Sequence, residues 1–155
     1  MDSTNHCVRL NSAYEIVQHW PFLLEAMAAL NAFRRANAGY TAETFFDMLV
    51  RVASMNQDGL ILLLQSKNNK NLGMGCAFTA VDFCGDACFF VWGAYTTGKC
   101  PTALKELLEN CETYARSIGQ KKLKMSTPRN TGSAIRLFET KLGFSREATT
   151  FAKQL

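Results

Sequence analysis

The chain has 155 residues, of which 48% are hydrophobic, 19% charged and 11% aromatic. A domain of that length buries about 68–70% of its unfolded surface, and the composition excludes a disordered, collagen-like or low-complexity protein. The net charge of +4 is mildly basic; it suits an anionic ligand but is too weak to define a nucleic-acid binder.

The longest unbroken apolar stretches, Ala26 to Leu30 and Leu60 to Leu64, fall far short of the roughly 18 residues that a membrane span needs. Met1 to His6 carries no cationic start, apolar stretch or small-residue cleavage site, so the sequence predicts a cytoplasmic protein with no membrane partner. No repeat or Pro/Gly/Ser-rich linker interrupts residues 1–155, which read as one domain.

In chain order, a short strand at Cys7 to Leu10 precedes the Asn11-Ser12 break. A helical region follows over Ala13 to Ala36, with Pro21 in the first turn of its main part, where a missing N–H is tolerated. Phe22, Leu23, Ala26, Met27, Leu30 and Phe33 recur there at helical spacing. Thr41-Ala42-Glu43-Thr44 opens a second helix with the apolar stripe Phe45, Phe46, Leu49, Val50 and Val52, and Glu43 reads as its capping-box residue.

The texture then becomes extended. Gly59 to Gln65, Leu72 to Phe83 and Ala87 to Tyr95 predict a three-stranded antiparallel meander, the last two strands joined by Cys84-Gly85-Asp86. A helix from Pro101 to Ile118 is stopped by Gly119. Lys122 to Ser126 predicts a strand, Ser133 to Lys141 a helix ended by Gly143, and Phe144 to Lys153 a last strand. The order is β-α-α-β-β-β-α-β-α-β, an α/β (α+β) fold whose mixed, mostly antiparallel sheet carries helices on both faces.

Six cysteines at irregular spacing, in a chain with a full core, argue for buried apolar residues over a disulfide scaffold. Neither His6 nor His19 has a partner at metal-site spacing, so no metal is predicted. Lysines and arginines collect in the last third, from Lys99 to Arg146.

Asn130-Thr131-Gly132-Ser133-Ala134-Ile135-Arg136-Leu137-Phe138, followed by Leu142-Gly143-Phe144, resembles the asparagine, the Ala-Ile-x-Leu-Tyr helix and the Leu-Gly-Phe of the GCN5-related N-acetyltransferase superfamily. Leu104 to Gly119 followed by Lys122-Leu123-Lys124-Met125 resembles its cofactor helix and the strand behind it. The element order is similar along the whole chain; the motifs are specific from about Phe89 to Phe144.

The resemblance implies a mechanism with a clear physical basis. Two parallel strands splay, and the pantetheine arm of acetyl-CoA, as co-substrate, pairs in the gap like an added strand. Trp92, Gly93 and Ala94 would line the arm, with Gly93 a bulge or a close-approach position. The diphosphate would sit on the next helix N-terminus, at Gly98, Lys99, Cys100 and Thr102, with Asn130 on the arm and Phe138 at the usual tyrosine position. Tyr95 is the implied proton donor, and Glu43 or Asp86, with Asp82 beside it, the implied base. The acceptor is a small-molecule or protein amine.

Three departures stand out. Thr97, Cys100 and Thr102 replace the family's Gln/Arg and two of its loop glycines, and their Cβ atoms crowd a phosphate cradle. Phe138 cannot donate a proton. One extra residue separates it from Leu-Gly-Phe. These departures suit a second reading: a degenerate binding or structural protein on the same fold, without turnover. Apolar residues on the early helices (Phe22, Phe33, Phe45, Phe46, Met48) would then serve a homodimer or larger assembly.

Overall fold

The computed structural model describes residues 5–32, 39–98, 100, 102–126, 132–147 and 153. The leucine-rich run Gly59–Gln65 forms strand β2, buried at every position, because helices cover both faces of the sheet there. Ile61 and Leu63 point into one core and Leu60, Leu62 and Leu64 into the other, the period-two alternation of a strand. β2 lies between β1 (His6–Arg9) and β3 (Asn71–Val81), and β3 pairs with β4 (Ala87–Thr96), all antiparallel. β5 (Leu123–Met125) joins the outer edge of β4 in parallel, giving the order β1-β2-β3-β4-β5.

On one face lie α1 (Ala13–Gln18), α2 (Trp20–Asn31) and α3 (Ala42–Ser54). The helical stretch expected over Ala13 to Ala36 breaks at His19, which caps the end of α1 and the start of α2, with Pro21 in the first turn of α2; its residues 33–36 lie outside the described residues. Phe45, Leu49 and Val52 form the buried stripe of α3. Its capping box is made by Thr41 and Thr44, so Glu43 occupies the first turn as an exposed residue and not as the capping partner. Phe22 and Phe45 are buried in the core, and Phe46 and Met48 pack against it as partly buried side chains. Phe33 lies outside the described residues.

The other face carries α4 (Ala103–Ser117), whose Ala103, Leu107, Leu108, Cys111 and Ala115 are buried. Gly119 follows at φ +82°, a left-handed stop that glycine adopts without strain. α5 (Gly132–Arg136) continues into one π-turn, Leu137–Lys141, closed by the Leu142 N–H on the Leu137 carbonyl at 3.1 Å. The wider turn absorbs the one extra residue between Phe138 and Leu142-Gly143-Phe144. The last strand expected from Phe144 does not form over its described part: residues 143–147 are irregular. No helix among the described residues is long and apolar enough to cross a membrane.

Candidate active site

Among the described residues, β4 is paired on both edges from Phe89 to Val91. Phe89, Phe90 and Val91 register with Leu123, Lys124 and Met125, and the Phe89 N–H donates to the Lys122 carbonyl at 2.8 Å. Beyond Val91, no described residue pairs with this edge, although β4 runs on to Thr96.

The β3 side explains the change of course. Cys76 registers with Gly93 while Ala77 registers with Val91, so Trp92 is an inserted residue and the pair forms a β-bulge. A bulge bends and twists its strand, and here it falls just past the last described β4–β5 pair, Val91 with Met125. Trp92 packs toward α3, with its ring 6.2 Å from Phe45 and 5.0 Å from Tyr40. Gly93 faces the same side, where an added Cβ would lie 3.3 Å from the Leu30 side chain of α2. Gly93 is therefore both half of the bulge and a close approach. Ala94 packs toward the α4 face, and Tyr95 returns to the helical side with its ring 5.8 Å from Phe22.

After β4 the chain turns at Gly98, φ +75°, toward the N-terminus of α4. An internal carboxylate already stands at that end. Glu106 accepts from the Thr102 hydroxyl at 2.7 Å and from the Asn5 amide at 2.9 Å. Cys100 Sγ lies 3.4 Å from the Thr102 hydroxyl. Burial first, and the Glu106 charge second, push the nearby Cys7 thiol up to about 11. An anion brought to this end meets helix N–H groups that attract it and a carboxylate that repels it. Lys99, Pro101 and Asn130 lie outside the described residues.

The remaining nominated residues scatter. Asp86 belongs to the β3–β4 turn, nine residues before Tyr95, which is roughly 30 Å of strand. Asp82, with its side chain 2% exposed, accepts Lys122 at 3.2 Å and Lys124 at 3.0 Å, and its Oδ1 accepts the Cys84 and Asp86 N–H groups at 2.9 Å each. Lys122 also reaches Asp86, and both lysines reach Glu147. This cluster fastens the turn to β5. It also neutralises part of the basic C-terminal third, as do the surface pairs Lys105–Glu109 and Arg116–Glu112. Glu43 lines a separate pocket on the outer side of α1 and α3. Phe138 sits in the π-turn, edge-on to Phe144 at 5.9 Å.

A mostly antiparallel five-stranded sheet with one parallel edge strand, a bulge in β4 and helices on both faces is the fold of the GCN5-related N-acetyltransferases. Solved structures with this fold match nearly the whole chain. Glucosamine-6-phosphate N-acetyltransferase from Arabidopsis thaliana has TM-score 0.69 at 16% identity, covering 97% of this chain and 98% of its own. Aminoglycoside N-acetyltransferase AAC(6')-Iy in complex with CoA has TM-score 0.74 at 12% identity, covering 99% and 97%. Ribosomal-protein-alanine N-acetyltransferase from Brucella melitensis has TM-score 0.68 at 13% identity, covering 97% and 99%. No protein-family model and no curated sequence matches the chain.

Proposed function

We propose that the chain is an N-acetyltransferase that moves acetyl from acetyl-CoA to an amine. The observation that carries this reading is the bulge at Trp92 and Gly93 coinciding with the loss of β5 pairing beyond Val91. An extended, amide-bearing arm laid against that edge finds backbone groups of β4 that have no strand partner among the described residues, as an added strand would.

In this reading Trp92, Gly93 and Ala94 line the arm, with Asn130 and Phe138 beyond it, and Gly98, Lys99, Cys100 and Thr102 surround the diphosphate at α4. The acceptor nitrogen attacks the thioester carbonyl carbon; the N–C bond forms, the C–S bond breaks, and sulfur leaves with the electron pair. The nitrogen gives up a proton and the sulfur gains one. Tyr95, at the open end of β4, is the residue assigned to protonate the sulfur. Positioning alone supplies a large share of such a rate.

A second reading, a degenerate binding or structural protein on the same fold without turnover, draws on one specific observation: the Glu106 carboxylate held at the α4 N-terminus by Thr102 and Asn5, where it opposes a diphosphate. Thermal denaturation with acetyl-CoA, followed by thiol release with a panel of amines, separates the two. A transferase is stabilised by about 2.7 kcal/mol at a hundredfold excess over Kd and releases thiol. Stabilisation without release with any amine of the panel leaves a binding protein, and no stabilisation at millimolar donor overturns the transferase and leaves the second reading.

A further inference from the structure

The N-terminus of α4 meets an anion that the chain itself supplies. Glu106, the fourth residue of the helix, folds back onto the N-cap residue Thr102 and accepts its hydroxyl hydrogen at 2.7 Å. The Asn5 amide, from the residue before β1, donates to the other carboxylate oxygen at 2.9 Å. A threonine hydroxyl has one hydrogen to give, so the Thr102 O–H is spent on Glu106 and serves no phosphate. Pro101, one residue earlier in the sequence, has no N–H to offer. Among the described residues no lysine or arginine pairs with Glu106; its neighbour Lys105 turns to Glu109 at 3.8 Å.

Charge decides what this carboxylate does to an acyl donor. A helix end supplies about half a positive charge, and Glu106 a full negative one. With the charge of Lys99 counted in full, this end stands at about half a unit positive, where the same end without Glu106 would stand at about one and a half. The field of Glu106 is felt nearby: after burial, it is what pushes the Cys7 thiol up. The gap beside β4 is different. Backbone groups beyond Val91 pair with an amide-bearing arm whatever the arm is attached to, whereas α4 meets only the diphosphate.

We propose that Glu106 is a specificity-determining residue for the acyl donor: it loosens the hold of α4 on a diphosphate, so that the arm in the gap carries most of the binding and the site accepts pantetheine thioesters that lack the nucleotide. The inference rests on the acetyl-transfer reading above and concerns which thioesters that reaction takes.

S-Acetylpantetheine, which is uncharged and ends before the diphosphate, is compared with acetyl-CoA by calorimetry on the full chain. The two should bind the parent protein within about tenfold of each other. Glu106→Gln should tighten acetyl-CoA by roughly threefold to thirtyfold at low ionic strength, and by less at about 1 M salt, while S-acetylpantetheine stays within about twofold. Glu106→Asp keeps the charge and should keep the parent's ratio of the two affinities. Tightening of both thioesters alike, or of neither, overturns the assignment and leaves the acetyl-transfer reading standing. So does a parent protein that prefers acetyl-CoA by more than about a hundredfold, or one whose hold on acetyl-CoA strengthens with magnesium, since Glu106 would then share a cation with the diphosphate. Binding of neither thioester by any of the three proteins overturns the proposal together with the reading it rests on.

Discussion

The two halves of β4 are built from the same kind of apolar sequence and do opposite things. From Phe89 to Val91 the strand is held on both edges, with Phe89 and Val91 in the core beneath α4 and Asp82 binding Lys122 and Lys124 near its head. From Trp92 to Thr96 β3 is its strand partner among the described residues, and it leans on aromatic rings from α2, α3 and the segment before α3. One inserted residue separates the two regimes.

The sharpest way to break this comparison is to unpack the fastened half. Phe89 is fully buried, in contact with Tyr114 at 5.7 Å, and Phe89→Ala should cost about 3–5 kcal/mol in urea denaturation. Trp92→Ala, at a half-buried position in the open half, should cost less than Phe89→Ala. Equal losses would mean that both halves are packed alike.

The charge cluster gives the same contrast a pH signature. Hydrogen bonding, first to Lys124 and then to the Asp86 backbone, holds the Asp82 carboxyl well below its ordinary value of 3.8. Lys124, bonded first to Glu147 and then to Asp82, is held above its ordinary 10.5. A depressed acid contributes stability that is full above its unfolded value and fades as pH falls through the folded one; a raised base contributes stability that is full below its unfolded value and fades as pH rises. Stability should therefore be flat between about pH 5 and pH 9 and decline outside that window. Asp82→Asn should flatten the acid limb and speed hydrogen exchange at the Phe89 amide, while the Trp92 to Thr96 amides keep their rates. Faster exchange in both halves would show that the cluster fastens the whole strand.

In the open half, Gly93→Val places a branched side chain where even a Cβ is 3.3 Å from Leu30. Overpacking of that kind costs about 1–3 kcal/mol, and it should abolish stabilisation by acetyl-CoA by distorting the bulge. A Gly93→Val protein that still responds to acetyl-CoA would place the donor elsewhere.

How much of this was legible follows the range of each interaction. The Leu/Ile-rich run Gly59 to Gln65 and the apolar stripes of α3 and α4 are local patterns, and they formed a strand and two helices. Gly93 is conspicuous as a glycine in an apolar strand, but the insertion of Trp92 shows only in the register against Cys76 and Ala77, which no single strand encodes. Lys122 and Lys124, two apart on a strand, share a face, yet their carboxylate is Asp82, some 40 residues earlier. Glu106 meets Asn5 across 101 positions; the sequence reading of the loop saw its missing glycines and not the carboxylate beside them. The strand expected from Phe144 does not form over its described part: Gly143 stands at φ +73° and residues 143–147 are irregular.

The smallest expected effect concerns Phe138, where the resemblance supplies a tyrosine. The extra residue has been taken up as a π-turn, and the Phe138 ring rests edge-on against Phe144. A hydroxyl added by Phe138→Tyr lengthens a half-buried ring that already has a partner in the chain, so stability should change by less than about 0.5 kcal/mol. Turnover should also stay within a fewfold of the parent, because a proton donor acts only within hydrogen-bond reach of the leaving sulfur. A well-placed general acid contributes roughly 10²–10⁴-fold. A gain of that size would show that the π-turn preserves the family's geometry and that loss of the hydroxyl alone had slowed the enzyme. An unchanged rate would instead assign the proton to Tyr95 or solvent, and place the catalytic work on the bulged half of β4.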